Sequence, residues 1–137
     1  MLELPPEYLN KVASQVIMIS SLLSGFSIAI IANLLVYKSD KKILNTILKV
    51  TTIAAGSFLV AVFSMTKIVM LTTEGYPFNF VQSYLTLPKL LGFSAFILGI
   101  ISLTAVIALS GWAKSKRIGI FTTIIGILTL LMILINL

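Results

Sequence analysis

The chain has 137 residues, 58% hydrophobic and only 10% charged, with ten Lys+Arg against four Asp+Glu, a formal net charge of +6, and neither Cys nor His. A soluble domain is about 25% charged, and a globule this apolar has too little polar surface to face water, so an ordinary soluble domain is excluded. Disulfide scaffolds, zinc centres and catalysis through His or Cys are excluded with the missing residues.

The opening MLELPPEYLNK holds two Glu and one Lys. It lacks the basic start of a secretory leader, so the apolar run that follows is expected to stay in the protein as a span. A helix rises about 1.5 Å per residue, and about 20 apolar residues cross a hydrocarbon core of about 30 Å. Four runs reach that length: residues 12–37, 50–73, 90–113 and 118–137. Stretches such as LTLLMILI, residues 128–135, do not alternate apolar and polar positions as barrel strands would. The expectation is an all-α membrane protein of one domain, residues 1–137: four transmembrane helices in an antiparallel bundle, with an amphipathic cytoplasmic helical extension before the second span.

The first span places Ser21, Gly25, Ala29 and Ala32/Asn33 on one stripe, with Ser20, Ser24 and Ser27 beside it. Small residues let helices approach closely in lipid, where apolar surface alone drives little association. The stripe is therefore expected to pack against neighbouring helices, and the serine density also fits the lining of a path. Asn33 is expected to cap, to bond between helices or to select a permeant species. The segment Ser21-Leu22-Leu23-Ser24-Gly25-Phe26-Ser27 resembles the start of the pore helix in the Orai calcium channels, four-span proteins that oligomerise. That resemblance implies an oligomeric pore. The chain departs from the family in having Asn33 where the family has its selectivity glutamate, and in lacking the basic pore residues before the motif.

The first connection, KSDKKILNTILK at residues 38–49, is expected to be helical and to run into the second span. Ser39 or Asp40 is suited to cap its start. Ile43, Leu44, Ile47 and Leu48 recur at helical spacing, with Lys41, Lys42, Asn45 and Lys49 on the other side. Lys38, Lys41, Lys42 and Lys49 are candidates for docking anionic lipid headgroups or a partner.

The second span carries Ala54, Ser57, Ala61 and Ser64 on one stripe and a single charge, Lys67. An intramembrane charge is a functional candidate, and a lysine near a span end can also snorkel to the interface. Ser64-Met65-Thr66-Lys67 reads as S-x-x-K, but the S-D-N and K-T-G partners of the penicillin-binding families are absent, so no enzyme is expected.

The second connection, residues 73–89, is read as an outer interfacial loop bracketed by Pro77 and Pro88. The third span has Ala95, Gly99 and Ser102; the fourth has Gly119, Thr122/Thr123, Gly126 and Thr129. Between them AKSKR is a tight basic turn, which makes these two spans antiparallel neighbours.

Orientation follows the basic loops. The first and third connections hold Lys38, Lys41, Lys42, Lys49, Lys114, Lys116 and Arg117, so residues 38–49 and 114–117 are expected to be cytoplasmic and both termini outside. Tyr37 and Trp112 suit the inner interface, and Tyr8, Tyr76 and Tyr84 the outer one. No carboxylate lies within the spans, no metal constellation or phosphate-cradling glycine loop is present, and no basic patch with aromatic platforms suggests nucleic acid. No cofactor is expected. The functional expectation is a small non-enzymatic subunit that packs against other membrane protein subunits or itself; the alternative is a homo-oligomeric channel lined by the Ser-rich face of the first span.

Overall fold

The computed structural model describes residues 5–36, 41–74 and 85–137, and these form helices without strands. Four long helices follow in order: α1 (Pro6–Val36), α2 (Lys42–Thr72), α3 (Thr86–Ser110) and α4 (Lys116–Asn136), with a three-ten turn at Gly111–Ala113 joining the last two. All four are long and apolar enough to cross a membrane. Large side chains such as Phe26, Phe63, Phe121 and Ile135 lie exposed around the bundle. Water would not tolerate that surface and acyl chains would, which fits a multi-pass integral membrane protein.

Local chemistry explains where the helices begin. Pro6 opens α1, where its fixed φ suits a first turn and its missing N–H costs nothing, and Glu7 follows. α2 is a single 31-residue helix, so the amphipathic extension and the second span are one rod. At 1.5 Å per residue the rod is roughly 46 Å long, more than a hydrocarbon core needs. Its first turns show the expected division: Ile47 is buried, Ile43, Leu44 and Leu48 are half-buried, and Lys42, Asn45 and Lys49 are exposed. Lys41 occupies the N-cap position without a side-chain cap bond. Lys38, Ser39 and Asp40 lie outside the described residues, as do Tyr37, Tyr76, Tyr84 and Pro77.

α3 corrects one expectation. It starts at Thr86, so residues 86–89 belong to the helix and not to an outer loop. Pro88 sits in the first turn, where helix geometry asks nothing of its nitrogen; it therefore opens the helix instead of fencing off a loop. α4 starts at a true cap: Ser115 Oγ accepts from the Ile118 N–H at 3.2 Å.

The helices pack in sequence, α1 on α2, α2 on α3, and α3 on α4. Contacts between opposite ends show each pair to be antiparallel. Asn10 of α1 bonds the end of α2. Gly92 meets Met65 and Gly99 meets Phe58 across α2 and α3, and Gly126 meets Thr104 and Ala108 across α3 and α4. α2 is the central element and buries both of its flanks, including Ala54, Phe58, Ala61, Met65 and Ile68. α4 is peripheral, with only Gly119 and Gly126 buried.

Small residues set these approaches, as expected for α2, α3 and α4. Ala54, Ser57 and Ala61 are buried on α2, and Gly99 and Ser102 on α3. Phe58, fully enclosed, lies over Gly99 and meets Phe96 edge-on, with ring centres 6.4 Å apart. The first span is a correction. Its buried stripe is Ala13, Val16, Ser20, Ser24 and Ser27, whereas Ser21, Gly25, Ala29 and Ala32 face outward. The two serine- and glycine-bearing stripes lie side by side, and the larger flanking residues decide between them: Leu9 and Val16 continue the buried one.

Gly99 and Gly56 separate packing from propensity. A methyl at Gly99 would stand 2.7 Å from the Phe58 ring, while one at Gly56 would meet nothing within 4 Å. Gly99→Ala is expected to lower stability by about 1–3 kcal/mol through overpacking, and Gly56→Ala to leave it unchanged or raise it by up to about 1 kcal/mol through helix propensity. Unfolding in mixed micelles with increasing denaturing detergent measures both.

Candidate functional site

The groups able to act on something else divide between the membrane-depth faces and the two ends of the bundle. On α1, Ser20, Ser24 and Ser27 point inward. Ser20 is fully buried, and the Oγ atoms of Ser20 and Ser24 are enclosed without a hydrogen-bond partner. Ser27 Oγ, on the same stripe, donates to the Leu23 carbonyl at 2.8 Å. An enclosed hydroxyl without a partner costs about 1–3 kcal/mol. A χ1 rotation that returns it to the preceding turn of its own helix, as Ser27 has done, removes that cost.

The start of α1 and the end of α2 are clasped by Asn10, a residue outside the sequence-based candidates. Asn10 Nδ2 donates to Thr72 Oγ1 at 2.9 Å, and more weakly to the Val69 carbonyl and Thr73 Oγ1, both at 3.2 Å. Thr72 and Thr73 in turn donate to carbonyls of their own helix. The signal lay in matched depth: an amide near the start of one span and two hydroxyls at the end of the next. Beside the clasp, Glu7, Lys11 and Glu74 rim an open polar hollow of about 290 Å³.

At the other end, α3 and α4 are locked at their turn. Trp112 Nε1 donates to Thr123 Oγ1 at 2.8 Å, and Thr122 Oγ1 donates to the Ala108 carbonyl at 2.9 Å. The Trp112 ring lies against Gly119. Trp112, expected at an interface, keeps about 40% of its surface exposed while bracing the hairpin.

The predicted site residues are not gathered in one place. Ser20, Ser24 and Ser27 are covered by neighbouring helices; Ser21, Gly25 and Asn33 are exposed on α1. Ser64 is half-buried between α2 and α3 near Gly92, whereas Lys67 is exposed. No hydrogen bond joins the two, so the S-x-x-K spacing does not assemble a serine–lysine pair in this structure. Lys89 is 8% exposed in the first turn of α3. Lys42 and Lys49 are exposed at the basic end of α2, where Lys41 also lies.

Two apolar hollows open sideways. One, about 490 Å³, lies between α1, α3 and α4 and includes Leu23, Phe96, Ile100 and Ile133, with Thr129 and Asn136 as its polar members. The other, about 510 Å³, runs over Gly56 on the α2–α3 face. Among the described residues, no group of three His, Cys, Asp or Glu could hold a metal ion.

The Asn10 clasp yields a measurable consequence. Asn10→Leu removes an interhelical amide bond of the kind that contributes about 0.6–2 kcal/mol in membranes. The variant is expected to lose that much stability in micelle unfolding, and amide exchange at the start of α1 and the end of α2 should quicken before exchange elsewhere does.

Comparison of the chain with protein-family models, with curated proteins and with solved structures finds no match.

Proposed function

We propose that this chain is a small non-enzymatic integral membrane protein that works as a packing subunit of a larger membrane assembly. The observation behind this reading is the outward stripe of α1. Gly92, Gly99, Gly119 and Gly126 are each filled by a side chain or backbone of a neighbouring segment, and Gly56, though open, is followed four residues on by Val60 and not by a small residue. Gly25 is open too: a methyl there would meet nothing within 4 Å, and Ser21 and Ala29 lie exposed along the same face. In a bilayer, a small-xxx-small face that its own chain leaves open is suited to another helix. Its partner is a transmembrane helix of another subunit.

In the orientation proposed, the basic connections at residues 38–49 and 114–117 lie on the cytoplasmic side and the termini outside. The excess of Lys and Arg in these short connections supports it. The antiparallel order places the start of α2 and the α3–α4 turn at one end of the bundle, so one assignment serves both.

The α1 face tests the partner reading. Gly25→Leu and Ser21→Leu enlarge a surface the bundle does not use, so helicity and micelle stability should be retained. Co-purification with other membrane chains in fixed ratio should fall at least tenfold. Self-association alone, with liposome conductance sensitive to Asn33→Ala, would favour the homo-oligomeric channel instead. For orientation, Lys114→Cys is expected to resist an impermeant thiol reagent on intact cells and to react after permeabilisation. Ser115 is left in place because its hydroxyl caps α4.

A further inference from the structure

The basic turn between α3 and α4 and the basic start of α2 are far apart in sequence but adjacent in the fold. The three-ten turn at Gly111–Ala113 touches α2. The register shown by Gly92 against Met65 and Gly99 against Phe58, carried toward this end, brings Gly111 level with Thr46 and Ile47. Six exposed cations therefore share this end of the bundle: Lys41, Lys42 and Lys49 at the start of α2, and Lys114, Lys116 and Arg117 from the turn and the first residues of α4. The acidic residues among those described, Glu7 and Glu74, border the hollow at the opposite end. No described acid at this end offsets the charge, and neither α2 nor α4 has an acid in its first turn.

A second feature points to the kind of anion. From Arg117, α4 presents Phe121, Ile124 and Leu128 at the i, i+4, i+7 and i+11 positions, so the four residues share one helix face. All are exposed: Phe121 by 65%, Ile124 by 52% and Leu128 by 51%. A guanidinium thus heads an uninterrupted apolar stripe. Trp112, held to Thr123 at 2.8 Å, lies beside the same turn with its ring partly exposed. A free anion would use the cations and have no use for the stripe; a neutral lipid would use the stripe and not the cations.

We propose that this corner is a retention site for one anionic phospholipid, its phosphate held by Lys114, Lys116 and Arg117, and an acyl chain laid along Phe121, Ile124 and Leu128. Arg offers a fork of donors to two phosphate oxygens, and the lysines add point charges. The site requires only that the chain be embedded in a bilayer. It stands independently of whether α1 binds another subunit.

The test uses the whole chain, purified in mild detergent and titrated with phosphatidylglycerol, with phosphatidylcholine of the same acyl composition, or with inorganic phosphate. Native mass spectrometry counts the molecules retained. One phosphatidylglycerol per chain is expected, with little phosphatidylcholine and little phosphate. Each cation near a membrane surface supplies about fivefold in affinity for anionic lipid, so Lys114→Gln/Lys116→Gln/Arg117→Gln together should weaken retention on the order of 100-fold. Phe121→Ser, which alters no charge, should also weaken it, whereas Lys11→Gln and Lys67→Gln should not. If the triple variant loses helicity, Arg117→Gln alone carries the charge test. Equal retention of the two lipids, unchanged retention in the Arg117 and Phe121 variants, or equal loss in the Lys11 and Lys67 variants would overturn the proposal. Phosphate bound as tightly as phosphatidylglycerol would overturn it too, leaving a simple anion site.

Discussion

Helices in hydrocarbon gain little from hiding apolar surface against each other, because the lipid is as apolar as they are. What holds such a bundle together is the close fit of side chains into places where the neighbouring backbone is bare. Phe58 over Gly99 is the centre of that fit. The ring is fully enclosed and meets Phe96 edge-on, and it is accommodated only because α3 has no side chain at that point. One turn-pair away, Gly92 receives Met65 in the same manner. A flexible thioether can shift when crowded; a phenyl ring enclosed on all sides cannot. The spacing of α2 from α3 is therefore set at Gly99 and only adjusted at Gly92.

The outer helices attach to this pair by different means. α1 meets α2 through alanine and serine along most of its length and is tied by an amide near its N-terminus. α4 meets α3 through Gly119, Gly126 and two threonines, with the indole of Trp112 wedged at the turn. Both attachments are strongest at one end. That leaves α1 and α4 without extensive mutual contact, and the apolar hollow over Phe96 and Ile100 is the gap between them. In membrane surroundings such a gap fills with acyl chains and imposes no penalty of the kind an empty core cavity would in water.

Much of this architecture was legible from residue order. Span number, antiparallel order, the amphipathic start of α2 and the packing stripes of α2, α3 and α4 all follow from length, spacing and the position of small residues. Two readings failed for physical reasons. Pro88 suggested a boundary because proline breaks helices, yet proline is indifferent to the first turn, and only the backbone shows that Thr86 begins it. The α1 stripe was misassigned because Ser20-Ser24-Ser27 and Ser21-Gly25-Ala29 are adjacent, equally small and equally periodic. Composition cannot choose between them; the larger residues in line with each, Leu9 and Val16 on one side, do. The Asn10 clasp escaped notice because it joins residues about sixty positions apart in sequence, and only the antiparallel register brings them to one depth.

The two adjacent stripes of α1 also explain how the molecule divides its surface. Serine and glycine were abundant enough on α1 to furnish two faces, and the bundle consumes one. The face turned outward has a narrow line of small residues through Ser21, Gly25 and Ala29, flanked by exposed Leu22, Phe26 and Ile28, whereas α4 turns outward a face of Ile, Leu and Phe with no such line. Lipid chains conform readily to the second kind of surface, because branched side chains and acyl chains fill each other's gaps. The notch at Gly25, between larger side chains, lets a helix backbone approach closely. In the proposed reading the notch of α1 takes protein and the outward face of α4 is the lipid-suited side. The cationic turn stands at the head of the lipid-suited side, where Arg117 begins the stripe that Phe121 continues. A lipid held at that corner would lie along α4, the helix with the least protein around it, and would brace the weakest-attached member of the bundle without obstructing the face of α1.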